Sequence, residues 1–319
     1  MPKTKRTKKQ HYIAQGVIKA FFDSSNIYEK NIHSGKVYKT SVNNTMCMSD
    51  SYEFSLFDDN YLENLFATSI DEDSSKLIKD LKELLNNNNN FTDAKNRIFK
   101  YIRMFLINYY KSVTSLIHMS KDMFKKDQGS IARMINTIFN MPYINRISEI
   151  LLTGYDFAII KSYNEDFVLC DQFIATCSLK FMGRFLNLSN REIGLKNTVV
   201  LIPISKNYYA MFINGQLPYS FDIALDCINE LSESQTQIIN SIVFNNSYEK
   251  CISLNEKEIN QLEKKNSTFG DSMAIAKFNS GNSAAFKIKQ EVFLLMMNMK
   301  CINISKHMNG QIRNLKIVE

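Results

Sequence analysis

His11, Gln15 and Asp171 are the residues whose types and settings could carry acid–base chemistry. A helix beginning near Ala14 would leave His11 just before its N-terminus, where the positive end of the helix dipole disfavours an imidazolium. A neutral imidazole there could accept a proton near pH 7. Gln15 would lie one turn on, able to orient a carbonyl or a phosphate, and Tyr12 could stack on a base. The other reading of His11 is structural, with ring nitrogens that bond backbone groups and tie down the N-terminal segment. Asp171 follows the apolar run 167–170 and so ends an expected strand, a common setting for a catalytic or metal-binding carboxylate. It could equally cap its own turn. Glu63 and Asp71 stand eight residues apart, about two turns along a helix. Joined by Asp171 from the strands they would supply three carboxylates for a divalent cation, and otherwise they mark an exposed helix face.

The elements that must position these groups follow from periodicity. A hairpin is expected around Ser34-Gly35, with Ile27-Tyr28 before it and Lys36-Val37-Tyr38 after it. From Asn60 apolar residues recur at three- and four-residue steps through Leu62, Leu65, Phe66, Leu77, Leu81, Leu84 and Leu85, as in amphipathic helices. The asparagine run 86–90 reads as a loop. A long helix is expected from an N-cap at Thr92 or Asp93 through Ile117, and another over 130–152 with a bend at Pro142. Strands are expected over 155–160, 167–170, 198–204 and 208–213, with a turn at 164–166. After Pro218 helical spacing returns through Leu225, Ile228 and Leu231 and then Ile238, Ile239 and Ile242. Strands and helices come in blocks, which favours an α+β fold.

Composition bounds the rest. With 45% hydrophobic residues and only 10 Gly and 4 Pro in 319 residues, the chain can bury a sizeable core. Five of the 39 basic side chains, Lys3, Lys5, Arg6, Lys8 and Lys9, crowd residues 1–9, and the other 34 nearly balance 32 acidic ones. The expected organisation is a flexible basic arm over 1–9 and one domain over 10–319. Such an arm would attach to phosphates weakly, salt-sensitively and without sequence preference, or serve as a solvated tail. Cys47, Cys170, Cys177, Cys227, Cys251 and Cys301 form no C-x-x-C pair and read as small buried apolar residues. No apolar run reaches the length of a membrane span and no secretory signal opens the chain, so a cytoplasmic protein without membrane attachment is expected. Phosphate-loop, H-E-x-x-H and G-x-S-x-G patterns are absent, which disfavours kinase, P-loop and zinc-hydrolase readings.

Taken in order, several segments suggest a family. Lys9-Gln10-His11-Tyr12-Ile13-Ala14-Gln15 resembles the K-Q-H-Y-V-P-Q opening of the bacterial family known as domain of unknown function 4238. The hairpin at residues 27–39 is similar to its second element and Leu62-Glu63 to its glutamate-bearing helix. Phe167 to Phe173 stands where that family reads F-x-x-S-D-N-P, and Pro203-Ile204-Ser205 where it reads P-[IL]-S. Ala14 replaces the usual proline, and of the S-D-N-P quartet only Asp171 remains. The resemblance implies one fold over nearly the whole chain and carries no agreed activity. A setting beside phage-defence or toxin genes is its loose association.

Two functions are expected from these residues. In the first the protein is a hydrolase acting on nucleic acid, most readily RNA. The arm from Lys3 to Lys9 gathers phosphates, His11 serves as base or acid, and Asp171 orients His11 or holds a divalent metal. In the second it is a non-catalytic nucleic-acid or protein binding module, in which Gln10, His11 and Gln15 brace the N-terminal segment.

Overall fold

The computed structural model describes residues 9–49, 60–88, 90–112, 141–180, 184–188, 193 and 196–264. Lys3, Lys5, Arg6 and Lys8 of the arm lie outside these residues, as do Cys301 and the helical stretches expected at 113–117 and 130–140. The fold is α+β. A short strand β1 (Lys9–His11) leads into helix α1 (Gln15–Phe22), which buries Val17, Ile18, Ala20, Phe21 and Phe22. Ala14 stands at its N-cap, where the sequence predicts the start, and Asp23 ends it with a left-handed φ of 55°. The expected hairpin forms between β2 (Asn26–Asn31) and β3 (Val37–Ser41), antiparallel with Glu29 opposite Tyr38. Gly35 has a φ of +68° in its turn, a conformation that costs a residue without Cβ least. Strand β4 (Cys47–Ser49) returns to pair with β1.

A helical block follows: α2 (Tyr61–Phe66), a π-helical turn (Ala67–Asp71), α3 (Glu72–Asn88), α4 (Phe91–Lys100), α5 (Ile102–Lys111) and α6 (Met141–Gly154). The asparagine run is not simply a loop, because α3 continues through Asn88. The N-cap of the next helix is Asn90, whose side chain accepts the Asp93 N–H at 3.0 Å, rather than Thr92 or Asp93. The single long helix expected from this point breaks at Tyr101, with φ −110° and ψ 16°, so α4 and α5 can turn different apolar faces inward. Pro142 lies in the first turn of α6, where a missing N–H costs nothing, and no bend is needed.

The strands β5 (Asp156–Lys161), β7 (Ala175–Lys180), β8 (Arg184–Asn187), β9 (Thr198–Ser205), β10 (Tyr208–Asn214) and β11 (Ile228–Glu230) form one sheet. Its order is β11-β5-β10-β9-β7-β8, antiparallel except for the β11–β5 pair. Every residue of β9 is buried because α1 and α3 cover this region of the sheet, so its sequence reads as an unbroken apolar run. Helix α7 (Glu233–Asn246) packs on β7 and starts from a capping box between Ser232 and Gln235. The helical spacing expected from Leu225 to Leu231 is not realised, since Ile228 lies in β11.

A second, four-stranded sheet has the order β3-β2-β12-β6, with β6 (Leu169–Cys170) and β12 (Lys250–Ser253), and is followed by the short helix α8 (Glu256–Gln261). Buried apolar side chains from Tyr12 to Leu262 form one contiguous core. Its rings interlock edge to face, as Phe157 does with Phe99 at 5.1 Å and with Phe212 at 5.0 Å between centroids. Among the described residues no helix is long and apolar enough to cross a membrane.

Candidate functional site

β1 ends at His11, directly opposite Cys47 in the antiparallel ladder. The Tyr12 N–H donates to Met46 O at 3.1 Å, which makes His11 and Cys47 the intervening non-hydrogen-bonded pair, the position where facing side chains come closest. His11 is half-buried, and the side-chain amide nitrogen of Gln15 lies 3.2 Å from its Nε2 and 3.4 Å from its Nδ1. An amide N–H can donate only to an unprotonated ring nitrogen, so this contact is compatible with the neutral imidazole.

The electrostatics agree. Burial, followed by the charges of Lys111 and Lys9, draws the His11 pKa down to about 4, against the pull of backbone groups at Asn43 and Val42. The unfolded chain therefore takes up a proton near pH 6.5 that the folded chain refuses until about 4, and stability falls as pH falls through that window. Urea midpoints measured from pH 7.5 down to 4.5 are expected to decline less steeply for His11→Gln than for the parent. Equal slopes would refute the assignment.

A chain of contacts links the helix that carries Gln15 to Lys111 on α5. α1 lies so close to α3 that a Cβ on Gly16 would collide with Ser75 Oγ. Ser75 Oγ donates to Asp71 O at 2.7 Å, and the Asp71 carboxylate pairs with the Lys111 ammonium. The Lys111 side chain is wholly buried, and its ammonium stands 5.3 Å from the centre of the Phe66 ring. Asp71 closes the π-helical turn, an irregularity that is frequent at functional positions because it redirects side chains within an otherwise regular helix.

Asp171 has a different role from the one expected. It is 0% exposed, and its two carboxylate oxygens accept the backbone N–H groups of Tyr248 at 2.8 Å, Glu249 at 2.6 Å and Lys250 at 3.0 Å. Burial raises its pKa to about 6, against these three donors, which favour the ionised form. The turn after β6 is thereby fastened to the entry of β12, and the carboxylate is not presented to a substrate. Tyr12 is also corrected. Its ring is 1% exposed within the core, so it cannot stack on a base, and its Oη has no hydrogen-bond partner among the described residues.

The three carboxylates expected to hold a metal are not gathered. Asp71 is paired with Lys111, Asp171 is occupied by backbone, and Glu63 sits on α2 beyond the π-helical turn. Among the described residues no group of three His, Cys, Asp or Glu side chains is arranged to hold an ion. Of the basic arm, Lys9 is described, and it is exposed with its ammonium donating to Asn44 Oδ1 at 2.8 Å.

Sequence reasoning missed Lys111, Cys47 and Glu29. Glu29 is buried and accepts from Thr45 Oγ1 at 2.5 Å and from Tyr38 Oη, with Lys250 Nζ 3.2 Å away. It anchors the turn that precedes β4, and that turn carries the Asn43 and Val42 backbone facing His11. Cys47 is half-buried rather than buried, and burial pushes its thiol pKa up, against the nearby charges of Lys250 and Lys9. Nothing in the local pattern marks Glu29. For Lys111 the available signal was a lysine at the apolar end of a helix.

A cavity of about 740 Å³ lined by Tyr28, Asp166, Asn255 and Asn260 opens elsewhere, and none of the residues around His11 lines it. Residues 9–257 match the model of a family described as a protein of unknown function, DUF4238. No curated protein and no solved structure matches the chain.

Proposed function

We propose a function for a chain that belongs to the DUF4238 family: it is an RNA-directed hydrolase that uses His11 as its base and Gln15 to orient the ring and the phosphate. The observation that carries the reading is the half-buried His11 imidazole in contact with Gln15 at the entrance of α1, where burial draws its pKa down and so favours the neutral ring. A neutral imidazole can take the proton of an RNA 2′-hydroxyl as that oxygen attacks the adjacent phosphorus. The new 2′-O–P bond forms as the P–O5′ bond breaks, and the imidazolium then returns its proton to the departing 5′-oxygen. Water later opens the cyclic phosphate. An anionic phosphodiester beside the ring would raise the affinity of His11 for a proton at the step where it must accept one. Lys9, exposed on the same strand, would meet the phosphate backbone in this scheme. Asp171 takes no part in this scheme.

A non-catalytic binding module is the second reading. It is favoured by the burial of Gln10 and by the His11–Gln15 contact, which together brace β1.

The test offers the purified protein an RNA oligonucleotide and its counterpart made of 2′-deoxynucleotides, each with and without chelator. Cleavage of RNA alone, chelator-insensitive and ending in a 2′,3′-cyclic phosphate, is expected. Equal cleavage of both strands would overturn the 2′-hydroxyl mechanism. Salt-sensitive retention of RNA without cleavage would select the binding module, and neither retention nor cleavage would remove both.

A further inference from the structure

Strand β6 is short, and its pairing with β12 puts Cys170 directly opposite Cys251. The Asp171 N–H donates to Lys250 O at 3.2 Å. Because these residues follow Cys170 and precede Cys251, the two cysteines form a non-hydrogen-bonded pair, with both side chains on one face of the sheet. Such pairs hold their Cα atoms about 4.5 Å apart, inside the range of about 4.4 to 6.8 Å that a disulfide bridges. Both side chains are 0% exposed, and both sulfurs are free thiols. We propose that Cys170 and Cys251 form a redox-convertible pair, which a peroxide oxidises to a cross-strand disulfide that thiols reduce again. This chemistry is separate from the RNA-directed reading and does not rest on it.

The other described cysteines have different neighbours. In the β1–β4 ladder Cys47 faces His11, and in the β7–β9 ladder Cys177 faces Val199. Cys227 lies just before β11, and its thiol donates to Ala224 O at 3.4 Å. Among the described residues, ladder pairing sets one cysteine against another at Cys170 and Cys251.

In the oxidation one sulfur attacks a peroxide oxygen, the O–O bond breaks, and the thiol proton leaves with the hydroxide as water, giving a sulfenic acid. The second sulfur displaces the sulfenic hydroxyl, so that the S–S bond forms and its own proton departs in a second water. The sulfurs lose two electrons and the peroxide gains them. Burial pushes both thiol pKas up, so neither is a thiolate at neutral pH, and oxidation is slow while β6 stays paired. At the short end of the bridging range the product is strained, and strained disulfides belong to the readily reduced class. The bond would tie the edge strand β6 to β12, where the Asp171 carboxylate already holds residues 248–250. β12 pairs in turn with β2, and Lys250 Nζ lies 3.2 Å from Glu29 Oε1, so oxidation stiffens the sheet that carries the Glu29 anchor.

The experiment exposes the full chain to hydrogen peroxide, blocks the remaining thiols with N-ethylmaleimide under denaturing conditions and maps the peptides by mass spectrometry. A Cys170–Cys251 linked peptide is expected, formed within one chain and lost on treatment with dithiothreitol. A parallel sample is refolded from urea with oxidised and reduced glutathione, where exchange with the small disulfide forms the same bond without access to the native core. The linked protein should unfold at a higher urea concentration than the reduced one. Cys170→Ala and Cys251→Ala should each abolish both the linked peptide and this shift, and if an alanine variant fails to fold, the peptide map of the parent still decides. No link in either sample, or links scattered among the other cysteines, overturns the proposal. A link in the refolded sample alone shows a folding staple and overturns the peroxide conversion. An unchanged or lowered urea midpoint in the linked protein overturns the stiffening of the sheet.

Discussion

Replacing Asp171 with asparagine is expected to destabilise the fold by about 3 to 5 kcal/mol, near the top of the range for single substitutions. The carboxylate accepts three backbone N–H groups through both of its oxygens in a site with no solvent exposure. An amide of the same shape keeps one oxygen but turns an NH₂ toward donors, so at least one buried N–H loses its acceptor and faces another donor. Each hydrogen bond to a charged group contributes about 1.5 to 3 kcal/mol, and a buried donor left unmatched costs a similar amount. Urea unfolding at pH 7.5 measures the difference directly. A variant within about 1 kcal/mol of the parent would show that the three contacts do not hold the 248–250 segment, and would return Asp171 to the list of candidate catalytic groups.

The second large effect is expected at His11. His11→Ala should lower the rate of RNA cleavage by about 10² to 10⁴, the usual contribution of a general base. His11→Gln should lose as much activity while keeping a polar side chain for Gln15 to bond, which separates loss of the base from loss of the brace. Circular dichroism should find both variants folded at neutral pH, and RNA retention at low salt should survive, because phosphate attraction does not require the imidazole. Full cleavage by either folded variant would remove His11 from the chemistry. Loss of folding in both would identify it as a structural histidine. Asp171→Asn and His11→Gln thus have opposite expected profiles, the first losing stability and the second activity, although the sequence treats them as partners.

That partnership marks where local pattern stops being informative. A carboxylate at a strand end serves catalysis or a turn, and the choice depends on what faces it. Here it is the 248–250 backbone, 77 to 79 positions away in the chain. The bridge between Lys111 and Asp71 spans 40 positions, and that between Lys250 and Glu29 joins strands whose pairing no spacing rule announces. The family signature at residues 9–15 pointed correctly to a helix start and to a histidine beside it, because both are properties of a few consecutive residues.

The periodicities of two and of three to four residues determined by themselves that this chain has a hairpin at 26–41, apolar strands at β5, β9 and β10, and an α+β order. They act through neighbouring residues and need no distant partner. Only the tertiary structure decided which charged side chains meet, that Asp171 clamps backbone, that Tyr12 is interior, and that Lys111 of α5 is buried against Asp71. Ion pairs and buried carboxylates are stable only where desolvation is offset by specific partners, and those partners are set by strand order and helix packing, not by spacing along the chain.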